Sequence, residues 1–155
     1  MKRLFFIVLA AALLTSCDPG FEEEVVFTNT TSHSVDLVLL DTTVHSYKFH
    51  SITTIDTQAS VVVAYEGGIG GAWRELGERI LCDRVLGDSV MLRFDDGKKI
   101  VYRADRDTVN SPYDFADTDR YEYEEKLVRG ISFHGNPYYG KLTYKILPED
   151  YDRAE

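Results

Sequence analysis

Asp95-Asp96-Gly97-Lys98 stands between two stretches in which apolar side chains recur at every second position. On one side, Val90, Leu92 and Phe94 share a face of Asp88–Phe94; on the other, Ile100 and Tyr102 share a face of Lys99–Arg103. Successive side chains of an extended chain point to opposite faces, so this alternation is that of strands buried on one side. Asp-Gly between two such strands is a hairpin signal, because its residues tolerate the backbone that a tight turn needs. An isolated hairpin is marginal in water, so its apolar face requires further strands to cover it.

The rest of the chain supplies them. Val25-Val26-Phe27 starts a strand, and Asn29-Thr30-Thr31-Ser32 has turn chemistry. Val35, Leu37 and Leu39 alternate with Asp36 on the outer side. His45–Phe49 alternates too, and Ile52–Ile55 extends it after a bend. Ser60–Tyr65 is a β-branched apolar run of the kind found in central strands. Gly67–Gly71 interrupts the pattern, and Trp73, Leu76 and Ile80 follow at weak helical spacing. Residues 104–125 read as a long, acidic, tyrosine-rich loop in which Ser111-Pro112 caps a short helix. Leu127–Phe133 reads as a strand, and Leu142, Tyr144 and Ile146 alternate with Lys141, Thr143 and Lys145. Pro148-Glu149-Asp150-Tyr151 places a proline and two acids where a helix N-terminus favours them. The expectation is an all-β fold: an antiparallel β-sandwich of about seven to nine strands with a short C-terminal helical turn. A small β-barrel is the alternative.

The N-terminus follows a different pattern. Lys2 and Arg3 precede an unbroken apolar run, Leu4–Leu14, and then Leu14-Thr15-Ser16-Cys17. Charge, a short apolar stretch and small residues before a cut form an export signal, and the run is too short for a membrane-spanning helix of about 20 residues. Leu-Thr-Ser-Cys resembles the lipobox of bacterial lipoproteins, in which the cysteine thiol is alkylated with diacylglycerol and the preceding bond is cut. That resemblance implies lipidation of Cys17 and a membrane anchor of several acyl chains. The expected organisation is a signal peptide at 1–16, a lipidated Cys and acidic tether at 17–24, and one β-rich domain at 25–155.

Loss of the leader takes Lys2 and Arg3 from the 17 basic residues and leaves the 26 acidic ones, so the formal charge moves from −9 to −11. Such a surface repels nucleic acid and anionic headgroups. Of the two cysteines, Cys17 goes to lipid, and Cys82, flanked by Ile80, Leu81 and Val85, reads as a buried apolar filler.

No constellation specifies a reaction, so the chain reads as a non-enzyme without cofactor or metal. The Gly67–Gly71 segment lacks the Lys-Ser/Thr pair of a phosphate-binding loop and the dinucleotide fingerprint. His33, His45, His50 and His134 lack zinc-site spacing. Asp105-x-Asp107 and Asp117-x-Asp119 fail the calcium-loop pattern, and no Gly-x-Ser-x-Gly elbow is present. What stands out is aromatic content. Trp73, Tyr113, Tyr121 and Tyr123 are candidate contacts for a protein or glycan, since Trp and Tyr offer large amphipathic area; filling the core is the competing role.

The mature chain also resembles a group of small lipoproteins of Bacteroidota type. The features are Val25-Val26-Phe27-Thr28-Asn29 after an acidic stretch, the mid-chain Gly67–Gly71, Asp88-Ser89-Val90, and Leu142-Thr143-Tyr144-Lys145-Ile146 before Glu149-Asp150-Tyr151. The resemblance implies a sandwich-like fold and no assigned activity. It implies two further things. Acids after the lipidated cysteine, here Asp18 and Glu22–Glu24, can mark such lipoproteins for the outer face of the outer membrane; these acids sit later than the usual signal, so the expected place is the outer membrane with surface and periplasmic faces both open. Asp-Ser/Thr-apolar triplets accept O-glycans, which nominates Thr42 and Thr108. The functional expectation is a lipid-anchored envelope protein acting as a binding module, alternatively as a structural or accessory subunit of an envelope complex, and last as a hydrolase.

Overall fold

The computed structural model describes residues 20–40, 52–69, 73–127 and 138–155. Eight strands lie in two sheets of four, with two short helices and no closed barrel among these residues. The strands are β1 (Gly20–Asn29), β2 (Val35–Leu40), β3 (Ile52–Ile55), β4 (Ser60–Ile69), β5 (Ser89–Phe94), β6 (Lys99–Arg103), β7 (Tyr121–Leu127) and β8 (Tyr138–Ile146). Helix α1 (Trp73–Ile80) runs on into a π-helical segment, Leu81–Leu86, and α2 is Pro148–Asp152. The first sheet has the order β4-β1-β8-β7 and the second β3-β2-β5-β6. The sandwich-like all-β fold expected from the alternation is therefore present.

The hairpin forms as its turn chemistry dictates. Gly97 takes φ +91°, the Phe94 amide donates to the Lys98 carbonyl at 2.8 Å, and Arg93 pairs with Lys99. Each sheet turns its alternating apolar face inward. Phe27, Leu142, Tyr144 and Ile146 meet Val35, Leu37, Leu92 and Tyr102 in one buried cluster. Helix α1 lies against β1 and β8, and the π-helical segment touches β2 and β4, which belong to different sheets. Ile80, Leu81, Val85 and Leu86 are buried there, so this connection closes the core between the sheets.

Several elements differ from their sequence reading. Residues 20–24, read as tether, are the first half of β1 and pair with β4 on one side and β8 on the other. Ser60–Tyr65 is not central: β4 is an edge strand that continues through Gly67 and Gly68, with Val62 and Tyr65 exposed. The loop at 104–125 ends at Arg120, because Tyr121–Leu127 already pairs with β8. Ser111-Pro112 forms turns rather than a helix. The sandwich is not wholly antiparallel, since β1 and β8 run parallel in the middle of the first sheet. His45–Phe49, residues 128–133 and Gly70-Gly71 lie outside the described residues.

Two polar devices join the layers. Asn29, buried at the end of β1, donates to the carbonyls of His33, Ile55 and Asp56, and its Oδ1 accepts from the amide and hydroxyl of Thr31. At the other chain end, the backbone of Glu155 exchanges two hydrogen bonds with Lys99, which covers part of the β6 edge.

Candidate functional site

The inward row of β1 runs Phe21, Glu23, Val25, Phe27, so one carboxylate occupies an otherwise apolar face. Glycines on two other elements make room for it. Gly140 of β8 pairs with Glu23, and a Cβ there would overlap Glu23 Oε2 and come 2.8 Å from the Tyr123 hydroxyl. Above them, a Cβ on Gly77 of α1 would lie 2.5 Å from Glu23 Oε1 and 3.2 Å from Leu142 Cβ. A mid-helix glycine weakens a helix by about 1 kcal/mol relative to alanine, and here it permits close approach of α1 to the sheet.

The niche is closed to solvent and its acceptors lack partners among the described residues. Glu23 is 0% exposed, and neither carboxylate oxygen has a hydrogen-bond partner among the described residues. The Tyr123 hydroxyl is buried and unpartnered in the same way. Burial pushes the Glu23 carboxyl up to about 7, and the like charge of Glu125 adds to the effect. Burial, Glu23 and Glu125 push the Tyr123 hydroxyl up to about 12. Most buried polar groups in proteins find partners, so three orphaned atoms in one place mark a candidate site.

Tyr123 and Leu142 separate this niche from a hollow of about 210 Å³, lined also by Glu78, Phe115, Thr118 and Tyr121. Its aromatic wall is fixed. The Tyr121 hydroxyl donates to the Pro112 carbonyl at 2.5 Å, and the Tyr121 ring lies 5.2 Å from Phe115 and 5.1 Å from Tyr144.

A larger polar hollow, about 580 Å³, lies over Arg120 and is lined by Asp114, Asp117, Asp119, Glu149 and Arg153 among others. Its buried floor is fully partnered. Arg120 Nη1 donates to both oxygens of Asp150 and to the Tyr144 hydroxyl, and Arg120 Nε lies 3.3 Å from Asp117 Oδ2. The Tyr102 hydroxyl and the Leu147 amide also donate to Asp150. With these groups spent on one another, this is a structural lock rather than a reactive centre.

The structure brings together two of the four aromatic candidates, Tyr121 and Tyr123, on the inner face of β7. Tyr113 is half-buried elsewhere, with its hydroxyl 3.4 Å from the carbonyls of Leu86 and Gly87. Trp73 is the first residue of α1, and its side chain lies outside the described residues, as do Cys17 and Thr42. Thr108 is exposed in the turn region after β6. Cys82 is half-buried on the π-helical segment, and His33 stacks on Tyr151 at 4.0 Å and bonds Asp95 at 2.8 Å. Among the described residues no group of three or more His, Cys, Asp or Glu is arranged to hold a metal ion.

Sequence reasoning missed Glu23. The signal was present in the phase of Phe21, Val25 and Phe27, which places residue 23 on the inward face, but three adjacent glutamates hid it. Comparison with family models, with curated proteins and with solved structures gives no match.

Proposed function

We propose that this chain is a lipid-anchored envelope protein, tethered through Cys17 to the outer membrane, whose sandwich is a non-enzymatic binding module. The observation that carries the binding role is the hollow between Phe115, Tyr121, Tyr123 and Leu142, with a buried carboxyl behind its wall that has no partner among the described residues. Aromatic walls with a few polar groups are the usual make-up of ligand sites. At about 210 Å³ the hollow is smaller than typical cofactor or drug sites of roughly 300–1,000 Å³, which favours one side chain or sugar fragment of a larger partner. The anchor reading rests on Leu14-Thr15-Ser16-Cys17. With β1 starting at Gly20, at most a few residues separate Cys17 from the first strand, which would hold the domain close to the membrane.

The test uses the full-length lipidated protein in nanodiscs, challenged with a glycan array and with envelope and secreted fractions of the native host. Binding of the same species by wild type and by Val101→Ala on the second sheet, lost in Tyr123→Ala, supports the module. Equal binding by all three proteins overturns the pocket's role. Labelling with radioactive palmitate, abolished in Cys17→Ala, checks the anchor.

A further inference from the structure

Glu23 is unusual in the company it keeps. Across the sheet its row runs Glu66 on β4, Glu23 on β1, Gly140 on β8 and Glu125 on β7. Tyr123 and Tyr139 feel its charge from β7 and β8, and Glu78 of α1 lines the adjoining hollow. The two influences on its ionisation, burial and Glu125, both oppose a negative charge, and neither is a cation. Among the described residues no group compensates a negative charge on this acid. Replacement by an apolar residue would serve the core better, because burying an uncompensated charge is costly.

Three acceptor atoms stand without a partner among the described residues: Glu23 Oε1, Glu23 Oε2 and the Tyr123 oxygen. A lysine ammonium carries three N–H donors and no acceptor, which complements that set. The approach to it is aromatic. Phe115, Tyr121 and Tyr123 line the hollow, and such rings attract a cation at their faces while packing against an aliphatic stem. A hollow of about 210 Å³ suits one extended side chain. The ammonium is also a compact point charge, which suits a small niche better than a broad planar guanidinium.

From these observations we infer that the hollow is a receptor for a lysine side chain of a protein partner, its stem against the wall that Phe115 and Tyr121 form and its ammonium at Glu23 and Tyr123. The inference rests on the binding-module reading and names the chemistry of that same site. Tyr123 is the shared wall, so its ring must turn aside for the ammonium to reach the carboxyl. A bound cation draws the proton from Glu23, so binding is accompanied by proton release near neutral pH.

The experiment is calorimetric titration of the full-length lipidated protein in nanodiscs. The probes are Nα-acetyl-lysine-N-methylamide, its norleucine counterpart, and n-butylamine. The expected result is that the lysine probe binds and the norleucine probe does not, with affinity rising about tenfold from pH 6 to pH 8 as Glu23 ionises. Glu23→Gln lowers affinity by about tenfold or more, and Tyr123→Phe by a few-fold. Titrations in two buffers of different ionisation enthalpy report the released proton, a readout that a purely structural Glu23 would not move. Circular dichroism of both variants verifies the fold, and if Glu23→Gln fails to fold, Tyr123→Phe and the buffer pair carry the test alone. Equal binding of lysine and norleucine probes overturns the inference in favour of an apolar slot. Binding of n-butylamine clearly tighter than the lysine probe overturns it in favour of a free amine. Absence of lysine-probe binding, with Tyr123-dependent retention of another species intact, overturns the inference but not the module. Absence of both overturns the two together.

Discussion

The guanidinium of Arg120 donates to both carboxylate oxygens of Asp150, at 2.9 and 2.7 Å, and both side chains are buried. Asp150 in turn accepts from the Tyr102 hydroxyl of β6 and from the Leu147 amide at the start of α2. Arg120 reaches the Tyr144 hydroxyl of β8. One ion pair thus links the last turn before β7, both sheets and the C-terminal helix.

Breaking that pair leaves a charge in a dry place. Arg120→Met or Asp150→Leu alone is expected to lower stability by about 3–5 kcal/mol. The double variant loses clearly less than the sum of the two, because no uncompensated charge remains. Urea unfolding of the four proteins measures it, and strict additivity would refute the coupling.

Glu23 makes stability depend on pH in the direction opposite to an ordinary salt-bridged acid. Its carboxyl sits at about 7 in the fold against 4.5 for the free group, so the folded state binds the proton more tightly. The benefit is fully present below about pH 4.5 and is lost as pH rises through 7, a change of about 3 kcal/mol in total. In Glu23→Gln this decline should flatten. Thermal denaturation between pH 5 and 8, wild type against variant, decides the matter, and parallel curves would exclude a buried acid.

The two niche glycines should respond differently to a methyl group. Gly140→Ala meets the Glu23 carboxyl and the Tyr123 hydroxyl inside a sheet, and overpacking of this kind costs about 1–3 kcal/mol. Gly77→Ala meets Glu23 and Leu142 too, but alanine returns about 1 kcal/mol of helix propensity, so its net loss is smaller. Adding Glu23→Ala to Gly140→Ala should recover much of the loss. Chemical denaturation of the single and double variants tests the order.

Asn29 serves three carbonyls and two donors from one amide. Asn29→Ala strands several of them away from water and is expected to cost about 2–3 kcal/mol. Asn29→Asp removes the donors and adds a charge, so it should cost at least as much. Hydrogen exchange at the Thr31 amide, which donates to Asn29 Oδ1, should quicken in both variants.

The hairpin at Asp95–Lys98, the inward faces of β5, β6 and β8, and the capped terminal helix could be read from the sequence. They depend on contacts between near neighbours and on a period of two that any extended chain imposes. Acidity and the leader pattern with Cys17 were equally local readings. Tertiary structure decided the rest. Glu22, Glu23 and Glu24 look alike in the sequence; the phase of Phe21, Val25 and Phe27 aims the middle one inward, but only the pairing of β1 with β8 and the packing of α1 set it against Gly140 and under Gly77. The parallel β1–β8 pairing joins residues more than a hundred positions apart, and Arg120 meets Asp150 across 30 positions. Local propensity carries no signal for such partners, because the free energy that selects them arises only when distant faces are buried together.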